Sequence, residues 1–95
     1  MGFNTAPFSP AEKREAATLA LERLRELNPS GFVNEMTWLE GLIESQLSAN
    51  EWATVASSRF VMDFVRHISS AATHEICWAV QPLFTVLFDS RGGPY

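Results

Sequence analysis

The sequence predicts an all-α protein, a compact bundle of four to five helices. Three observations carry this. Apolar residues recur at spacings of three and four along most of the chain. Ser-x-x-Glu start signals and an Asn-Pro stop divide these runs. No Asn-Gly or Asp-Gly pair and no sustained alternation marks a hairpin. At 95 residues the chain has the length of one domain. That domain is expected over 9–88, between an irregular lead at 1–8 and a tail at 89–95.

The first helix begins where three signals coincide in Ser9-Pro10-Ala11-Glu12. Ser9 caps, Pro10 suits the first helical position, and Glu12 closes a capping box. Phe8 stands where a hydrophobic staple sits. This helix is expected over 10–27, with Ala17, Ala20, Leu21, Leu24 and Leu27 on its apolar face. Asn28-Pro29-Ser30-Gly31 ends it.

A second helix is expected over 34–47, capped by Asn34, with Met36, Leu39, Leu42, Ile43 and Leu47 facing inward. Gly41 interrupts it at a cost of about 1 kcal/mol relative to Ala. The expected reason is close packing against another helix; contact with a partner is the other reading.

Ser48-Ala49-Asn50-Glu51 is a second capping box and starts a third helix. No Pro or Gly follows until Pro82. A single helix of roughly thirty residues exceeds ordinary length. A break is therefore placed at Ser69-Ser70-Ala71-Ala72-Thr73, because Ser and Thr prefer caps to interiors. The third helix then covers 49–69. The fourth covers 73–88, with a kink or restart at Pro82. A short strand over 83–88 is the minor alternative.

Composition excludes several classes. Eleven aromatics (seven Phe, three Trp, one Tyr) oppose a disordered chain. A lone cysteine excludes an internal disulfide and a cysteine-rich zinc site. A formal net charge of -4 argues against a nucleic-acid backbone as partner. The longest apolar stretch, Ile76 to Phe88, is broken by Gln81 and Pro82 and falls short of the about 20 residues that span a bilayer. No membrane partner is expected. Residues 1–8 lack a basic, apolar secretory signal. With the single thiol, this places the expected location in the cytoplasm.

No nucleophile elbow, phosphate loop or Cys-x-x-Cys is present, and neither an enzyme nor a cofactor is expected. Cys77 is expected to be buried or inert. On one continuous helix, Arg59, Asp63, His67, Ser70, His74 and Cys77 would share a stripe. Asp63, His67 and His74 are its metal-ligand candidates. The two histidines sit about 10 Å apart along a straight helix, too far to share one ion. The stripe reads mainly as a wet face.

Between Pro29 and Ser58 stand Glu35, Glu40, Glu44 and Glu51, with no Lys or Arg. Such a surface attracts a basic partner. Glu40, Glu44 and Glu51 are the expected contacts, with Trp38 as an apolar anchor. Leu83, Phe84, Leu87 and Phe88 belong to an almost all-round apolar block. They are expected either inside the core or at an interface with a second copy or another partner.

The expected function is that of a small non-enzymatic interaction module. It would act as an adaptor, a regulator or a protein inhibitor of a larger macromolecular machine. A mobile-element inhibitor of a host nucleic-acid enzyme is one such class. Two alternatives remain open. One is a helix-turn-helix DNA-binding regulator built on the second and third helices, with Arg59 and Arg66 as its late basic residues. The other is a metal-binding or sensory helical protein using Asp63, His67 and His74.

Overall fold

The computed structural model describes residues 8–71 and 73–88. The lead at 1–7 and the tail at 89–95 lie outside the described residues. The chain is an all-α bundle: α1 (Pro10–Leu27), α2 (Val33–Ser45), α3 (Ala49–Ala56), α4 (Arg59–Ala71) and α5 (His74–Leu87), with one 3₁₀ turn at Ser30–Phe32. No strand occurs among the described residues, and α5 occupies the segment where a strand was the alternative.

The caps set the helix starts. The Glu12 N–H donates to Ser9 Oγ at 3.2 Å, and the Ser9 N–H donates to Glu12 Oε1 at 2.8 Å. Ser48 and Glu51 repeat this box at 3.3 and 2.9 Å. Each box satisfies two backbone donors that a helix start leaves open. At the other end of α1, Asn28 turns left-handed at φ 53°, a conformation Asn tolerates. Its N–H donates to the Leu24 and Arg25 carbonyls at 3.0 and 3.2 Å. Gln46 closes α2 at φ 51°, slightly earlier than the expected end at 47.

The expected third helix over 49–69 is two helices. Ser58 accepts the Val61 N–H on its hydroxyl and the Met62 N–H on its carbonyl, both at 3.3 Å, and so starts α4. The Ser57 hydroxyl donates back to the Ala53 and Thr54 carbonyls, each at 3.3 Å. Both serines offer the backbone alternatives to continued helix. The break expected at 69–73 is also present: Thr73 caps α5, its Oγ1 accepting the Ile76 N–H at 3.4 Å.

Pro82 neither restarts nor ends α5, which is continuous from His74 to Leu87. A proline in a helix interior leaves the carbonyl four residues earlier without its donor. That carbonyl belongs to Trp78, and Arg23 of α1 donates to it through Nη1 at 3.0 Å. The same guanidinium lies over the Trp78 ring, 4.1 Å from its centroid. Helix α1 therefore supplies the bond that α5 cannot make for itself.

Helices α1 and α5 pack most closely. Ala17 and Ala20 of α1 and Ala79 of α5 are fully buried, and such small side chains let backbones approach. Leu24, Leu39, Leu83 and Leu87 fill the centre. Each contributes about 1.5–3 kcal/mol through burial. Helix α4 stands further off, and aromatic rings bridge the gap. Phe64 is the hub. It meets Phe32, Trp38, Phe60 and Phe84 at centroid distances of 6.3, 6.2, 6.5 and 5.3 Å.

Gly41 does not mark close helix packing. A methyl group added there meets open space. Its place in mid-helix has no packing explanation among the described residues.

Candidate functional site

Two grooves differ in chemistry. The first lies between α1 and α2, has a volume of about 390 Å³, and is lined by Thr18, Leu21, Glu22, Arg25, Glu40, Ile43 and Glu44. An adjoining groove shares Thr18, Glu22 and Ile43 and adds Arg14, Glu15 and Leu19. Four carboxylates thus flank a partly apolar floor, against two guanidiniums. Arg25 already pairs with Glu40 across the groove. Both side chains are about half exposed, so the pair contributes only about 0–1 kcal/mol. Glu22 and Glu44 make no ion pair among the described residues.

Of the four expected partner contacts, the structure brings Glu40 and Glu44 together and separates the other two. Trp38 is half-buried and stacks on Phe60 at 4.5 Å. Two residues along a helix is a turn of about 200°, so Trp38 and Glu40 occupy opposite flanks of α2. Trp38 belongs to the aromatic seam holding α4 and is no anchor beside the glutamates. Glu51 closes the α3 capping box. The Ser48 backbone N–H, and then the Ser48 hydroxyl contact, hold its carboxyl below the usual carboxylate range. Glu22 was missed because interhelix packing, not α1's own pattern, brings it opposite Glu44.

The second groove lies where α3, α4 and the end of α5 meet. Ala56, Val61, Met62, Val65, Arg66 and Phe88 line a volume of about 320 Å³. Met62 and Phe88 are 55% and 52% exposed, too open to count as core. The apolar block of α5 is thereby divided. Leu83 and Leu87 are 0% and 2% exposed and belong to the core, so neither forms an interface. Phe84 is half-buried between Phe64 and Phe88. Phe88 alone of the four is exposed.

The polar stripe on 59–77 does not form, because α4 and α5 are separate helices. Asp63 faces Arg66 at 3.6 Å. The His67 ring stacks on Phe32 at 4.2 Å, and its Nδ1 lies 3.1 Å from Glu35 Oε2. This contact joins α4 to α2. His74 is exposed in the first turn of α5. Asp63, His67 and His74 are not brought together, and no group of three His, Cys, Asp or Glu side chains is placed to hold a metal among the described residues. Cys77 is exposed and not buried, because α5 turns Ile76 inward and leaves its neighbour outside.

The helix-turn-helix reading also changes. The helix after the turn ends at Ala56, so Arg59 and Arg66 fall on α4. Helices α2 and α3 carry no Lys or Arg. No helix among the described residues is long and apolar enough to cross a membrane.

No protein-family model matches the chain, and no significant match to it is found among curated proteins or solved structures.

Proposed function

We propose that this chain is a small non-enzymatic interaction module whose α1–α2 groove receives a basic surface of a protein partner. One observation supports this most. Glu22 and Glu44 flank a groove with an apolar floor of Leu21 and Ile43, next to a Glu40 that already holds a guanidinium. A partner arginine entering the groove has carboxylates to meet and aliphatic surface for its stem. The overall charge of -4 adds long-range attraction for such a partner. Adaptor, regulator and inhibitor are all forms of this reading. An acidic module that blocks a basic nucleic-acid groove, as a mobile-element inhibitor of a host enzyme would, is the inhibitor form.

The test pairs the wild type with a Glu22→Lys, Glu44→Lys variant, which leaves the Arg25–Glu40 pair in place. Both are immobilised and offered the same nuclease-treated lysate. A bound protein lost from the variant, while its far-UV circular dichroism and melting are unchanged, supports the reading. Equal capture by both removes the groove from it.

A further inference from the structure

We propose that the groove between α3, α4 and α5 is a second docking surface, one that takes an acidic amphipathic helix from a protein partner. The proposal rests on the reading of the chain as an interaction module and names a second, chemically opposite contact.

The two flanks of α4 differ. One flank carries Phe60 and His67, which have ring partners: Phe60 stacks on Trp38 and keeps 38% of its surface open, and His67 lies against Phe32 and Glu35. The other flank carries Met62 and Val65, and Met62, at 55% exposed, is the most open large apolar side chain of the helix. Helix spacing puts these two one turn apart, so they form a continuous ledge. Phe88 faces the ledge across the groove, with Ala56 and Val61 as further lining. The volume of about 320 Å³ sits at the low end of the roughly 300–1,000 Å³ typical of ligand pockets. It is also open, which suits anchor side chains presented on a helix better than an enclosed small molecule.

Charge selects the occupant. The one charged residue lining the apolar groove is Arg66. An adjoining notch is lined by Ser57, Arg59, Met62, Asp63 and Arg66. Outside α1, Arg59 and Arg66 are the described residues that carry positive charge at neutral pH, His set aside. Arg66 is 75% exposed, and its contact with Asp63 is long at 3.6 Å, so its guanidinium is available to a second carboxylate. A helix bearing bulky apolar residues one turn apart, with Glu or Asp beside them, matches ledge and rim together.

The probes are two synthetic amphipathic peptides with the same Leu and Phe anchors, one flanked by Glu and one by Lys, together with decanoate. The readout is methyl NMR of the full chain, in which Met62 and Val65 report the groove and Met36 is a remote control. The Glu peptide should shift Met62 and Val65 and leave Met36 in place. Arg66→Glu should weaken it at least about tenfold and favour the Lys peptide. Val65→Asp should abolish the shifts. Met62→Leu, which keeps the ledge apolar, should retain them. The proposal is overturned if the Lys peptide binds the wild type equally well, or if no methyl shifts at millimolar peptide. It is also overturned if decanoate fills the groove more tightly than the peptide, or if the wild type self-associates through this face. Glu22→Lys with Glu44→Lys should leave the Glu-peptide shifts unchanged, so failure of the acidic groove and failure of this one are distinguishable.

Discussion

Pro82 stays inside α5 because Arg23 bonds the Trp78 carbonyl, and removing that guanidinium measures the device. In Arg23→Ala the carbonyl loses its 3.0 Å donor and the Trp78 ring loses a cation 4.1 Å from its centroid. A charged donor in a buried bond contributes about 1.5–3 kcal/mol. This bond is exposed and water replaces part of it, so about 0.5–1 kcal/mol is the fitting share. An exposed cation–π contact adds about 0.5–1 kcal/mol. The expected loss is therefore about 1–2 kcal/mol, or roughly 4–16 °C in Tm for a domain of this size. The decisive step is the double-mutant cycle with Pro82→Ala. Alanine restores an N–H at position 82, and that N–H bonds the Trp78 carbonyl within the helix. In that background Arg23→Ala removes the stacking alone, and its cost should fall by about half. Urea titration followed by circular dichroism reads all four proteins, with constant m values as the check on two-state behaviour. Equal costs of Arg23→Ala in both backgrounds, within about 0.3 kcal/mol, would show that the guanidinium does not replace the donor missing at Pro82.

Other outcomes follow from the same structure. Gly41→Ala should stabilise the protein by about 0.5–1 kcal/mol, since the added methyl meets nothing and the helix gains propensity. A destabilised variant in thermal melts would show that space is not open there. Phe64→Ala should cost about 3–5 kcal/mol, because the ring is 1% exposed and four other rings pack on it. Hydrogen exchange should show α4 losing protection first, and uniform loss across the bundle would contradict the hub role. The Glu51 carboxyl sits below its ordinary range, so its contribution to stability is present above that range. It is lost as the pH falls through the depressed value. The stability gap between wild type and Glu51→Gln should accordingly shrink on acidification, and a gap that widens has the wrong sign.

Local signals were legible in the sequence and tertiary ones were not. Ser9-x-x-Glu12, Ser48-x-x-Glu51 and Thr73 place three helix starts where the structure has them, because a cap depends on residues within one turn. The break at Ser57-Ser58 carried the same kind of signal. The apolar pattern that continues on both sides of it masks that signal. Pro82 suggested a restart because the donor that keeps it helical stands on α1, fifty-five residues earlier for the bond it makes to Trp78. The acidic face was half legible. Glu40 and Glu44 share a side of α2 by spacing alone, whereas Glu22 joins them through helix packing. Trp38 is the opposite case, since helix arithmetic alone sets it on the far flank from Glu40.

Binding of a basic protein surface in the α1–α2 groove is the property on which the proposed function stands. Its most direct test is capture of a partner from nuclease-treated native lysate, read by mass spectrometry across a salt series, with the Glu22→Lys, Glu44→Lys variant alongside. The expected result is one near-stoichiometric protein that is held at low salt, released at high salt and absent from the variant. A captured protein indifferent to salt and to both substitutions, or no captured protein at all, would contradict it.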